Sequence, residues 1–340
     1  MRPRARPTIA LLSLIAALSP RTAGATTCSG ITSTCINDDT LWPQAGPARF
    51  VSVGSTETVA PQQISFALVT SYLSRPIVLH LATPGSSNAV EAFAVDDQVN
   101  STFAWSYGVT SRLELAVALP LTLGQSGLGL SPVTGGTGLH DTATRDMRFG
   151  FAYTLVDQKR EPLRAGEVAW GLAGRFDVSA PTGDDDEFAG EHVGVIAPAI
   201  ATSVAFDRYF AGAELGARLR PTTQLLGARV GSQLVAELGV GAEILPKELL
   251  SITAEAWALP TLAEQANISV ESGQYVSTPN GHHITPSEWL LSLRSAPVHD
   301  GDLSFQVSGG GSLPLDGESV VTAPRFRFTL GIRWAPRTRH

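Results

Sequence analysis

The chain has 340 residues, 43% of them hydrophobic and 16% charged, with a formal net charge of -7, which allows one large folded domain. A weakly acidic balance excludes a nucleic-acid partner held by a basic surface. The two cysteines, Cys28 and Cys35, are too few for a disulfide scaffold and incomplete as a metal site.

Residues 1–25 read as a signal peptide. Arg2, Arg4 and Arg6 precede the apolar run Ile9 to Leu18, and Ala23-Gly24-Ala25 supplies the small residues for cleavage after Ala25. That run of about ten residues is too short to cross a hydrocarbon core of roughly 30 Å as a helix, and no later stretch reaches the required length of about 18. A membrane form of this protein has to cross with strands. Export predicts a local disulfide between Cys28 and Cys35. A lipid-modified Cys28 is the alternative, although Thr26 and Thr27 stand where small apolar residues would be expected.

Residues 26–62 show little alternation and many turn formers, among them Asn37-Asp38-Asp39, Pro43 and Pro47. They read as a segment outside the wall, in the periplasm or folded into a lumen. The wall is expected over 63–334, with a short tail at 335–340. Ile64, Phe66, Leu68, Thr70 and Tyr72 share the first face, and after a polar stretch Val99, Phe103, Trp105, Tyr107 and Val109 share the next. Thr110 to Arg112 turn the chain into Leu113, Leu115, Val117 and Leu119, as in a hairpin. Then come Met147, Phe149, Phe151, Tyr153 and Leu155, and Val168, Trp170, Leu172, Phe176 and Val178. Ile196, Ile200, Val204 and Phe206 turn at Asp207-Arg208 into a strand whose even-numbered face holds Glu214, Arg218 and Arg220, and Val230 to Leu245 is the longest clean run, followed by Leu250, Ile252, Ala254 and Ala256. Trp289, Leu291 and Leu293 follow, then Leu303, Phe305 and Val307. Last come Phe326, Phe328, Leu330, Ile332 and Trp334, opposed by Arg325, Arg327, Thr329, Gly331 and Arg333.

The fold class expected is all-β: a single antiparallel transmembrane β-barrel of about twelve strands, of outer-membrane type. Long connections after strands one, three and nine and short ones after two, six and eight sort as extracellular loops and periplasmic turns. The wet faces are mostly Gly, Ala, Ser and Thr, which suits a confined lumen. Lysine occurs only at Lys159 and Lys247, both in expected periplasmic connections. The charges expected to line the lumen are Glu114, Arg148, Arg175, Asp177, Glu214, Arg218, Arg220, Arg229, Glu237, Glu243, Glu255, Arg294, Arg325, Arg327 and Arg333. Mixed signs predict pairing around a narrow path. An Arg at Gln233 should be tolerated, and an Arg at Leu238 should not.

Four stretches carry a resemblance: Ile36-Asn37-Asp38-Asp39-Thr40-Leu41-Trp42-Pro43, Tyr107 to Leu115, Phe176 to Gly183 and Phe326 to Trp334. They resemble the transporter-like barrels of the phenol-degradation MetA type and the N-terminal barrel of myxobacterial OmpA-family proteins. The resemblance implies the outer membrane of a Gram-negative bacterium and passage or binding of small solutes. OmpA-family proteins continue into Asp-rich repeats and a peptidoglycan-binding domain, whereas this sequence stops at His340, so cell-wall anchoring is not implied.

The function expected is a passive channel or binding protein for small solutes, hydrophobic ones included. The alternatives are a plugged structural or surface-interaction barrel and a secreted soluble sandwich. Expected partners are outer-membrane lipid and lipopolysaccharide, the barrel-assembly machinery through the C-terminal strand, and a small-molecule solute. Neither an enzyme, a cofactor nor a metal is expected. His140-Asp141 and His192 carry no nucleophile-elbow spacing, and the neighbours His282 and His283 point apart on an extended loop. The acidic run Asp184 to Glu187, with Glu191, reads as a solvated loop, the alternative being a hard divalent cation held by its oxygen ligands.

Overall fold

Strict alternation of apolar with small or polar side chains makes each wall segment a two-faced strand. In the computed structural model twelve such strands form the wall. The structure describes residues 28, 30–82, 89–158, 166–246, 249–271, 274–298, 302–315 and 321–336. The expected signal peptide, Lys159, Lys247 and the end of the tail at 337–340 lie outside the described residues.

The wall strands are β1 (Ile64–Ala82), β2 (Ala89–Gly108), β3 (Leu113–Ser126), β4 (Arg148–Val156), β5 (Val168–Ser179) and β6 (Val195–Phe206), then β7 (Tyr209–Arg218), β8 (Gln233–Leu245), β9 (Leu250–Ala258), β10 (Ser287–Val298), β11 (Leu303–Ser312) and β12 (Phe326–Trp334). Neighbours in the chain pair antiparallel, and β12 returns to β1 from Ser74↔Phe326 to Phe66↔Trp334. The result is a closed 12-strand antiparallel barrel with one extra two-residue strand, Ala143–Thr144, on β3. Closure leaves no unpaired wall edge, the condition for a sheet to lie in lipid.

The strand ends that flank 83–88, 127–147, 180–194, 219–232, 259–286 and 313–325 lie at one end of the barrel, hereafter the loop end. Those that flank 109–112, 157–167, 207–208, 246–249 and 299–302 lie at the other, the turn end. The tightest, Asp207-Arg208, has Asp207 at φ 54°, the positive φ that two-residue hairpins require.

Two boundaries differ from expectation. The polar stretch read as a long loop after strand one belongs to the wall hairpin itself. β1 and β2 stay paired out to Ala82↔Ala89, with register shifts between Ser74 and Val78. The physical reason is apolar burial: Ile77, Leu79, Ala94 and Val95 pack with Ile36, Phe188, Leu225 and Val230 in a cluster under the loops. The run Val230 to Leu245 is also not one strand. Ala228–Val230 pairs with Thr223–Leu225 as a small hairpin, and β8 starts at Gln233.

Outside, the wall is oily. Leu215, Leu238 and Leu330 are each more than half exposed. Phe66, Trp105, Tyr107, Tyr153, Trp170, Phe206 and Tyr209 project near the turn end, and Tyr72, Phe149, Trp289 and Phe326 near the loop end. An apolar band between two aromatic girdles is the surface that a bilayer covers. Among the described residues no helix is long and apolar enough to cross a membrane.

The occupied lumen as candidate functional site

The wet faces do not enclose an open bore. Every residue from Ile31 to Ala60 is buried or half-buried, because this stretch threads the bore from the loop end to the turn end. Cys28 and Cys35 are joined in a disulfide with Cα atoms 5.8 Å apart. The ring they close sits at the loop end, where Ser33 N–H donates to Gln224 O at 3.0 Å and Leu226 N–H to Ile31 O at 2.5 Å. At the turn end Ala60 N–H donates to Pro336 O at 3.1 Å before β1 begins.

Between these ends, wall side chains take up the polar groups of the inner segment. Arg145 pairs with Asp38 at 2.8 Å, and Gln98 donates to the same carboxylate at 2.8 Å. Arg327 pairs with Asp39 at 2.9 Å and with Glu288 at 2.7 Å. Glu288 also accepts from Thr40, and Trp257 Nε1–H donates to Thr40 Oγ1 at 3.2 Å. Trp42 lies between the guanidinium groups of Arg148, 4.8 Å from its ring, and Arg218, 4.2 Å from it. Such stacking satisfies a ring and two cations in one layer. Arg218 also donates to Thr40 O at 3.0 Å, and Arg333 to Gln44 O at 3.1 Å.

Lower in the bore the signs reverse, and wall carboxylates accept backbone N–H groups of the segment. Glu255 takes Val51 and Ser52, both at 2.9 Å; Glu214 takes Gly54 at 2.9 Å; Glu114 takes Val59 at 2.8 Å. Glu214 stands opposite Glu237 in the β7–β8 ladder, with Arg175 3.7 Å from Glu214. The small wall residues make room for this filling. A Cβ at Gly239 would come within 2.6 Å of the Phe50 ring, and one at Gly212 within 3.0 Å. Two voids beside the segment, of about 20 and 30 Å³, have room for single waters and not for a solute.

Of the charges expected in the lumen, Glu114, Arg148, Glu214, Arg218, Glu237, Glu255, Arg294, Arg327 and Arg333 are buried inside the barrel, and Arg175 and Asp177 are half-buried there. Glu243 is half-buried near the turn-end rim. Three sit elsewhere. Arg229 lies on the small loop hairpin, where its N–H donates to Gln265, because the chain breaks at Gly231-Ser232 before β8. Arg220 is past the end of β7 and pairs with Glu191 among the loops. Arg325 precedes β12 and pairs at the rim with Glu91 at 3.1 Å, both side chains exposed. Glu288 and Arg145 went unread. Glu288 could have been found, since the outward face Trp289, Leu291, Leu293 places it inward; Arg145 has no periodic signal.

The acidic loop is solvated only in part: Asp184 and Asp186 are exposed, whereas Glu187 and Glu191 are buried. Glu187 is buried and accepts from Gln125 at 3.1 Å, and it contacts the exposed His140 ring, which raises that imidazole above its ordinary range. Asp185 lies 3.5 Å from His192 Nδ1 and beside the disulfide. Asp146 accepts N–H groups of Gly183 and Glu191, both at 2.8 Å, yet burial pushes its carboxyl up to about 6.

No family model and no curated protein matches the sequence. Among solved structures, the COG4313 outer membrane channel from Pseudomonas putida F1 aligns with a TM-score of 0.54 at 15% identity, covering 84% of this chain and 99% of that one. The Ralstonia pickettii toluene transporter TbuX aligns at 0.35 and 13% identity, covering 91% and 98%. With closure, girdles and strand count already in place, the first likeness shows one thing: this chain has the fold of an outer-membrane β-barrel.

Proposed function

We propose that the protein is an outer-membrane channel for small hydrophobic solutes, held shut by its own residues 28–62, with residues 1–25 serving export to a Gram-negative outer membrane. One observation carries this reading. The bore is filled by a separate stretch of chain, gripped through backbone amides and ion pairs, and not by side chains of the wall. Such a filling can shift within the bore with the ladder intact, whereas a bore packed with wall side chains cannot open. In this reading the loop end faces outward and the turn end faces the periplasm.

The test is conductance of the refolded barrel in a planar bilayer, with and without residues 28–62. Removal of the segment is expected to convert a closed or weakly conducting barrel into a stably open one. A second reading is favoured by the number of satisfied charges in the bore: a permanently filled scaffold whose loops do the work. Silence of both forms, with a folded barrel confirmed by circular dichroism, would establish that reading. Orientation is checked separately. Thr137 is exposed in the connection between β3 and β4, so Thr137→Cys should react with a membrane-impermeant maleimide on intact cells. Reaction only after lysis would invert the topology.

A further inference from the structure

At the loop end, beside the top of the inner segment, lies a cavity of about 690 Å³. It is walled by β1 (Val78, Leu79), the small hairpin (Leu225, Leu226) and the connection between β9 and β10 (His283, Ile284). Its size falls within the range of about 300–1,000 Å³ typical of small-molecule sites. We infer that this vestibule is a binding site for an uncharged, largely apolar solute that carries a hydrogen-bond donor. The inference deepens the channel reading above and rests on it for the word solute.

Three observations carry it. First, among the described residues the lining contains no Asp, Glu, Lys or Arg, although the bore below is crowded with them. A charged ligand would find no carboxylate, ammonium or guanidinium here to replace the hydration it loses. Second, the polar groups on the lining are amides and imidazoles. His283 Nδ1 lies 3.2 Å from Thr261 O, and a carbonyl only accepts, so the hydrogen of the neutral ring sits on Nδ1 and Nε2 is an acceptor. Gln265 is already committed, accepting from Arg229 N–H at 2.9 Å and donating to Arg229 O at 3.0 Å. The lining thus offers an acceptor to a hydroxyl on an otherwise apolar body. Third, the vestibule shares a wall with the inner segment. Leu225 lies in the cavity lining and in the apolar cluster with Ile36, and Leu226 is bonded to Ile31. A solute seated here presses on the strand to which the top of the segment is tied.

The test uses the full chain in lipid nanodiscs and equilibrium dialysis of 2-naphthol, with uptake by empty discs subtracted. Saturable binding near one site per chain is expected. Ala228→Trp, which fills the cavity, should weaken it at least about tenfold. His283→Leu should weaken it about threefold to tenfold, the worth of one hydrogen bond. 2-Naphthoate, the same body with a carboxylate, should compete at least about tenfold less well. Uptake no greater than that of empty discs, binding indifferent to Ala228→Trp, or equal competition by the carboxylate would overturn the site. Heat-modifiable migration of each variant reports folding independently. Conductance after removal of 28–62 tests the channel itself. Lost binding with conductance gained therefore sinks the vestibule alone, and binding without conductance sinks the channel alone.

Discussion

Arg327→Met is expected to destabilise the barrel by about 3–5 kcal/mol, the cost of stranding buried charges without their partner. Arg327 is 0% exposed, and it holds Glu288 of β10 and Asp39 of the inner segment together. Methionine fills a similar volume, so packing loss is small and the effect reports electrostatics. The measurement is the urea midpoint of the refolded barrel, set beside the triple variant Arg327→Met, Asp39→Asn, Glu288→Leu. Because a well-packed apolar replacement of a buried ion cluster is often neutral, the triple variant should recover most of the loss. If it is as unstable as the single variant, the charges are not the cause. The single variant should also raise conductance, because Asp39 is one of the tethers of the segment.

Leu238→Arg should impair assembly by about 2–4 kcal/mol, whereas Leu245→Arg should cost about 0–1 kcal/mol. Both side chains face outward, 57% and 47% exposed, but Leu238 is mid-strand and Leu245 ends β8 at the turn end. The readout is the folded fraction in bilayers by heat-modifiable migration. Equal costs at the two positions would mean that no hydrocarbon band surrounds the wall. Gln233 is not the tolerant comparison that its inward position suggested. It is 1% exposed and its amide meets Arg220 and Leu259 O, so an arginine there would set two guanidinium groups against each other in a filled space.

The wall was legible because period two is a local signal. Phe326 to Trp334 declares its oily and wet faces in nine letters, and the structure exposes Phe326, Phe328, Leu330 and Ile332 while burying Arg327, Thr329 and Arg333. What the wet face meets was not legible. Small residues such as Gly212 and Gly239 suggested a confined lumen, but that they fit Phe50 depends on contacts 162 and 189 positions away. The inner segment has no period to read, because its partners come from strands all around the ring. Asp38-Asp39 and Trp42 look like ordinary turn and loop residues until Arg145, Arg327, Arg148 and Arg218 surround them. Arg229 was misplaced for the opposite reason: alternation ran on through Gly231-Ser232, where the ladder stops.

The threading of residues 31–60 has a topological consequence. The segment enters the ring at one mouth tied into a disulfide loop and leaves at the other as the first wall strand. Loading it after closure would drag Asp38, Asp39 and a disulfide-closed end through the bore. Laying it down first requires only that β12 swing round and zip onto β1. The barrel is then shaped on a mandrel made from its own chain, and sealing the wall and stoppering it become a single act.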